Sequence, residues 1–322
     1  MTLLYAMGGH TVPAWLLGDR VNMTISAQLV WRSPARGTLL ECPLWCGASN
    51  ALYWIDVVDP SIHRHDFSTG ASARWELPKP PGSIALMPAA HLLVAMRSSL
   101  AILDTTTGTL DNVAWKGPSL GEDRFNDGVT DRQGNFWIGT MDRRLAEPIG
   151  RLFRIDAAFN ATATPIDARL SNGLCFSPAG DRLYLSKTIE REIHAFDVDS
   201  ATGALSGARR IVAYDAAPGR PDGSTVAADG SLWSARIDAS RIDRYGPDGE
   251  VLDRLPLPIS HPTHCTFGGP GMQTLYVTTS RFGAEFVAGE HGDAGYVLGF
   301  RLDQRGLPGA IFATTGARRR AG

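Results

Sequence analysis

The stretch Phe136-Trp137-Ile138-Gly139 decides the fold, because five close copies of it stand elsewhere in the chain. They are Leu52-Tyr53-Trp54-Ile55, Leu92-Leu93-Val94-Ala95, Leu183-Tyr184-Leu185-Ser186, Leu232-Trp233-Ser234-Ala235 and Leu275-Tyr276-Val277-Thr278. Neighbouring copies lie about 40 to 50 residues apart, the period of a propeller blade. Each is followed by a second strand, such as Ile62-His63-Arg64-His65-Asp66 or Leu152-Phe153-Arg154-Ile155-Asp156. Turn residues separate the repeats, as in Ser68-Thr69-Gly70 and Pro247-Asp248-Gly249. No stretch keeps the apolar period of a long helix. The expected fold is therefore all-β, a six-bladed β-propeller. Gln28-Leu29-Val30-Trp31 precedes the first full repeat and is expected to complete the last blade and close the ring.

Counting back ten or eleven residues from each copy reaches Glu41, Pro81-Gly82, Asn126, Asn172, Asp222 and His264. In a propeller this preceding strand lines the central channel, so equivalent positions converge on the axis. Polar groups gathered in a channel are costly unless they solvate something. The oxygen donors of Glu41, Asn172 and Asp222 suit one hard divalent cation. Taken singly, an Asn-Gly or Asp-Gly pair reads as a turn. Recurrence in register with Glu41 favours a site, since a carboxylate inside Leu39-Leu40-Glu41-Cys42-Pro43 needs a partner.

Bulk properties narrow the function. The 322 residues are 43% hydrophobic and 20% charged, an ordinary globular composition. With 31 basic and 33 acidic residues, no basic excess draws nucleic acid or an anionic membrane. No apolar run approaches the length of a membrane helix. Four cysteines, Cys42, Cys46, Cys175 and Cys265, read as reduced thiols of a cytoplasmic protein. Residues 1–22 contain no Lys and no Arg before Arg20, so the positive segment of a signal peptide is missing. They are expected to be a dispensable extension, residues 23–315 the propeller, and 316–322, with Arg318-Arg319-Arg320, a basic tail.

Six motifs in order resemble the SMP-30/gluconolactonase/luciferin-regenerating-enzyme family over roughly residues 28–315. They are Glu41-Cys42-Pro43-Leu44-Trp45, Arg124-Phe125-Asn126-Asp127-Gly128, Phe136-Trp137-Ile138-Gly139-Thr140-Met141, Ser171-Asn172-Gly173-Leu174, Arg220-Pro221-Asp222-Gly223 and Cys265-Thr266-Phe267-Gly268-Gly269-Pro270. The resemblance implies one metal held by Glu41, Asn172 and Asp222, with calcium, zinc, manganese, magnesium and iron all open. It also implies hydrolysis of a sugar lactone, such as glucono- or xylonolactone, with Arg124 and Asn126 facing the substrate. His264 joins these two as a candidate substrate contact, and Asp222 or Glu41 is the candidate base. Hydrolysis of other esters or phosphoesters in the same cup, and ligand binding without catalysis, are the competing readings. The partner is a small lactone, and the protein is expected to be a monomer or small homo-oligomer. Three departures bear on substrate choice: Leu40 before the Glu, Arg143 and Arg144 after the Gly-Thr-Met element, and Lys187 in place of a common Asp. Arg144 and Lys187 are expected to favour anionic lactones if they reach the cup.

Overall fold

A computed structural model describes residues 24–215, 217–281 and 292–314. The boundary expectations for 1–22 and 316–322 lie outside these residues. Among those described, twenty-four strands, β1 to β24 in chain order, form six four-stranded antiparallel sheets. The only helical segments among the described residues are short 3-10 turns at Gly47–Ser49 and Pro270–Met272. Among the described residues no helix is long and apolar enough to cross a membrane. The six-bladed propeller expected from the repeat is the observed architecture.

Each blade begins at the axis. The innermost strands are β2 (Leu40–Cys46), β6 (Pro81–Leu86), β10 (Asp123–Thr130), β14 (Ser171–Phe176), β18 (Arg220–Val226) and β22 (Pro262–Gly268). Each touches the next around the ring, and β22 returns to β2. The repeat copies form the second strands: β3 (Ala51–Asp56), β7 (His91–Met96), β11 (Phe136–Asp142), β15 (Arg182–Lys187), β19 (Leu232–Ile237) and β23 (Thr274–Thr279). These strands are covered on both faces, so they are nearly continuous apolar runs instead of alternating ones. Trp54, Trp137 and Trp233 are buried there, filling the wedge between adjacent blades.

The ring closes as the sequence predicts. Strand β1 (Gln28–Arg32) pairs antiparallel with β24 (Leu298–Arg301), so both ends of the chain build the sixth blade. An aromatic clasp crosses the seam to the first blade. Trp31 lies edge-on to Trp54 at 6.4 Å and to Tyr276 at 5.7 Å, and packs on Phe67 at 5.1 Å. Trp45 stacks on Tyr276 at 5.6 Å. Such pairs add about 0.5–1.5 kcal/mol each beyond the area they bury.

A β-bulge interrupts every innermost strand near its start, between Glu41 and Leu44, Phe125 and Gly128, Asn172 and Cys175, or Pro221 and Ser224, for example. Bulges bend a strand and re-aim its side chains, and here they do so at one height of the channel. The crowding this creates is visible at Gly173, which has φ of 59°. A Cβ there would stand 2.5 Å from Ser186 Oγ and 2.7 Å from the Asp222 carbonyl oxygen.

The clasp yields a test of ring closure. Trp31→Ala removes a half-buried indole that joins the last blade to the first, and is expected to cost about 2–3 kcal/mol. Urea unfolding followed by fluorescence measures it; a loss under 0.5 kcal/mol would show that the seam does not depend on the indole.

Candidate active site at the channel mouth

The register of each blade sets the height of its polar residue. Glu41 pairs with Ile55, Asn172 with Ser186 and His264 with Thr278, each partner being the fourth residue of a repeat copy. Asn126 and Asp222 sit in the bulges that face Gly139 and Ala235, the same fourth position. Five residues separated by more than two hundred positions of chain are thus brought to one level. In the second blade the partner of the fourth residue, Ala95, is Ser83, a small buried residue whose hydroxyl donates to the Gly128 carbonyl at 3.3 Å. Gly82 fills the bulge before it, where a Cβ would lie 2.5 Å from the Phe125 carbonyl oxygen.

Hydrogen bonds link the ring. Asn126 Nδ2 donates to Asn172 Oδ1 at 2.5 Å and to the Ser171 carbonyl at 3.0 Å. Asn172 Nδ2 donates to Asp222 Oδ1 at 2.6 Å and to Thr188 Oγ1 at 3.0 Å. The Thr188 hydroxyl in turn donates to the Pro221 carbonyl at 2.8 Å. Asn126, Asn172 and Asp222 therefore form one chain, and Thr188 ties the fourth blade to the fifth beside it.

Two of these contributors escape a reading of the sequence alone. Strand alternation puts Asp127 on the opposite face from Asn126, but the bulge turns both toward the axis. Asp127 is buried, accepting the Gly128 amide at 2.8 Å and the Leu174 amide at 2.9 Å. Thr188 lies just past Lys187, the position that attracts notice as a departure, and carries no motif of its own. The Asn126-Asp127-Gly128 triplet was the available signal for Asp127, since two polar residues precede a glycine there.

His264 takes a different place from Arg124 and Asn126. Its Nδ1 accepts the Cys265 amide at 2.8 Å, which leaves Nε2 to face Asp127 Oδ1 at 3.4 Å. Burial alone would lower this imidazole, but the Asp127 carboxylate holds it above its ordinary value. The ring packs over Gly223, where a Cβ would collide with it. It forms part of the channel floor.

Two cavities meet at that floor. The smaller, about 30 Å³, lies at the mouth against Glu41, Arg124, Asn126, Asp127 and Asn172. It has room for roughly one or two water-sized occupants. The larger, about 540 Å³, occupies the other end and is walled by Cys42, Cys175, Cys265, Phe267 and the segment 307–310. Size favours the second cavity, but the convergent ionisable groups belong to the first.

The electrostatics of the mouth are those of crowded carboxylates. Burial raises Glu41 well above the usual range, and Asp222 and Asp127 raise it further. Burial also lifts Asp222 to about 7, with Asp127 adding to the rise and His264 opposing it. Like charges held out of water cannot all ionise without a countercharge. Among the described residues no three His, Cys, Asp or Glu side chains form a metal-binding group. The candidate donors are thus two carboxylates and one amide, Glu41, Asp222 and Asn172. All three supply oxygen, and the buried negative charge they share fits a hard divalent cation.

Arg124 stands above this level. It pairs with Met141, two residues beyond Gly139, and its Nη1 donates to the Phe125 carbonyl at 3.2 Å. Burial first, then the Arg143 and Arg97 guanidiniums, hold it below its ordinary value, while Glu41 opposes them. The backbone amide of Arg144 donates to Asp142 Oδ1 at 3.0 Å, whereas it is Arg143 that acts on Arg124.

Comparison with known proteins agrees with this architecture. A 6-deoxy-6-sulfogluconolactonase of Pseudomonas putida is 35% identical over 80% of this chain and 88% of its own length. A pentonolactonase of Haloferax volcanii is 32% identical over 82% of this chain and 90% of its own. Among solved structures, a calcium-binding regucalcin of Agrobacterium tumefaciens superposes with a TM-score of 0.81 at 26% identity. That match covers 88% of this chain and 97% of the other. The sequence pattern described as the SMP-30/Gluconolactonase/LRE-like region matches residues 39–281, which contain all five ring residues and Arg124. The chain belongs to the SMP-30/gluconolactonase/LRE-like family.

Proposed function

We propose that this protein hydrolyses a sugar lactone to the open-chain acid, with one divalent cation held by Glu41, Asn172 and Asp222. The observation that carries the reading is the buried convergence of Glu41, Asp127 and Asp222 beside Arg124 and Asn126 at one channel mouth. Support also comes from relatives that are named as lactonases of sulfogluconate, pentonate and arabinonate type.

A bound cation would polarise the lactone carbonyl and stabilise the negative charge that develops on its oxygen. Arg124 presents a planar guanidinium for paired hydrogen bonds to ring or exocyclic oxygens. Asn126 can offer both donor and acceptor to a sugar hydroxyl, and its bond to Asn172 fixes its plane. Asp222 is assigned as the base that takes the water proton, since a ligand carboxylate with a free oxygen can both hold the cation and accept a proton. Glu41 is the second carboxylate of the pair and shares the negative charge. Asp127, held by two backbone amides and facing His264, is a positioning residue that keeps the floor of the cup in place.

The direct test is acid release from gluconolactone and xylonolactone, followed with a pH indicator, before and after EDTA. Hydrolysis above the spontaneous rate that EDTA abolishes and a divalent cation restores is expected. Turnover of a phosphotriester without any lactone would overturn the substrate assignment. Asp222→Ala is expected to lose both the bound cation, counted by elemental analysis, and at least a hundredfold in kcat/KM, about 2.7 kcal/mol of transition-state stabilisation. A full complement of cation with ordinary turnover would remove Asp222 from both roles.

Stability should depend on pH in a direction set by the same carboxylates. The folded-state value of Asp222 is raised above its unfolded value near 3.9, so the folded apoprotein binds the proton more tightly. The contribution is fully present below about pH 4 and is lost as pH rises toward 7. A cation reverses this by pairing with the ionised form. The gain in Tm on adding divalent cation to EDTA-stripped protein should therefore grow from pH 5 to pH 8. An equal gain at both values would contradict the placement of the cation on these carboxylates.

A further inference from the structure

The mouth of the channel has two electrical layers. The lower layer is acidic, formed by Glu41, Asp127 and Asp222. The upper layer is basic, and the repeat register shows how it is built. Arg97 follows β7 and stands two residues beyond Ala95, while Arg124 pairs with Met141, two residues beyond Gly139. Ala95 and Gly139 hold the same position in their repeat copies, so the two arginines share one height. At about 3.3 Å of rise per residue they sit roughly 7 Å above the acidic level. The blades are pinned together at that height, because the Phe125 amide donates to the Arg97 carbonyl at 2.6 Å. Arg143 joins from the turn after β11, opposite Glu122.

The acids that could neutralise this layer are engaged elsewhere. Asp123 is buried and pairs with Arg151 at 3.1 Å. Asp142 accepts the backbone amides of Arg144, Ala146 and Glu147. Glu122 is exposed and reaches Arg143 only at 3.7 Å, which screens one of the three guanidiniums weakly. The side chains of Arg97 and Arg124 have no carboxylate within 4.0 Å among the described residues. Arg97 is held by a strained backbone, with φ of 39°, at the lip of the channel. Three guanidiniums therefore gather on one side of the mouth, and only Glu41 below and Glu122 at the rim partly offset their repulsion. The positive field at this height comes from Arg97, Arg124 and Arg143, independently of the expectation for Arg144 and Lys187.

We propose that Arg97, Arg124 and Arg143 form a subsite for an anionic substituent, so that the preferred lactone carries a carboxylate, sulfonate or phosphate at the end remote from its carbonyl. The assignment rests on the lactonase reading and adds the substrate class to it. The carbonyl end of such a lactone lies in the acidic layer with the cation, and the anionic end lies about one residue pair higher. A neutral lactone leaves the guanidiniums unmatched. Arg97 and Arg143 are the specificity-determining residues, and Arg124 serves both layers.

The test compares kcat/KM for glucarolactone, and for a gluconolactone phosphorylated on its terminal hydroxyl, with the neutral aldonolactone of the same ring size. The two anionic probes separate a carboxylate preference from a phosphate preference. Wild-type protein is expected to favour at least one anionic lactone, and the preference should shrink as ionic strength rises. Each of Arg97→Ala and Arg143→Ala should reduce the anionic-to-neutral ratio roughly two- to fivefold, and the double variant about tenfold. Both side chains are at the surface, so folding is retained and melting curves verify it. A ratio that stays constant in the double variant overturns the subsite. If the wild type hydrolyses no lactone, the lactonase reading fails, and the subsite is decided by calorimetric titration with glucarate and gluconate. Tighter binding of glucarate that the double variant loses supports it; equal binding in both proteins overturns it.

Discussion

Six strands must meet side by side around one axis, and that steric constraint governs the rest of the molecule. Side chains near the axis have little room, so small residues stand where backbones approach closely, as at Gly82 and Gly173. The bulges answer the same constraint. Each innermost strand bends at its bulge, and a polar side chain in or beside the bulge of five blades is turned inward at a common height. Cys42, immediately after Glu41, takes φ of 48°, a conformation that costs a non-glycine residue energy and that the surrounding ring must hold in place. The site is thus a product of the closure geometry and is not carried by any one blade.

Crowding of like charge follows from that geometry. A single buried carboxylate could protonate and be neutral, but Glu41, Asp127 and Asp222 face one another with few compensating donors. Asp127 is the best satisfied, with two backbone amides and the His264 imidazole. Asp222 has the Asn172 amide and the more distant His264 and Arg220 charges. The arrangement stores unfavourable electrostatic energy that a bound cation would release, which links affinity to pH. The apolar and thiol-lined cavity beneath offers no such relief. Burial pushes the Cys42 thiol up to about 12 and raises Cys175 and Cys265 as well, so these sulfurs stay neutral and unreactive.

Much of this was legible in the sequence, for a physical reason. Covered second strands need a continuous apolar run with a large aromatic, so Trp54, Trp137 and Trp233 mark blades directly. Counting back from them gives Glu41, Asn126 and Asp222, and from the Leu183-Tyr184 copy Asn172, because hairpin lengths vary little between blades. The closing role of Gln28 to Trp31 follows because a propeller must hide its last edge. Asp127 was not legible, since alternation assigns it to the wrong face and only the bulge reverses that. Arg97 was missed because its blade carries only the short Ser83 at the ring level and the arginine itself stands just past the end of its strand. The action of Arg143 on Arg124 was not legible either, because a turn lacks the periodicity that would say which of two adjacent arginines faces inward.

The pairing of β1 with β24 also shapes how the chain comes into being. During synthesis the first blade can assemble once its four strands have emerged, and four more follow in order. The sixth cannot, because its outermost strand was made first and its partner, Leu298–Arg301, is made near the end. Until then the nascent ring is an open arc whose β1 segment waits without a partner and whose Trp31 has only the first-blade half of its clasp. Ribosomal stalling or premature termination before Leu298 would leave that edge exposed, the surface most prone to pairing with another chain. Emergence of Leu298–Arg301 converts a string of blades into one cooperative body.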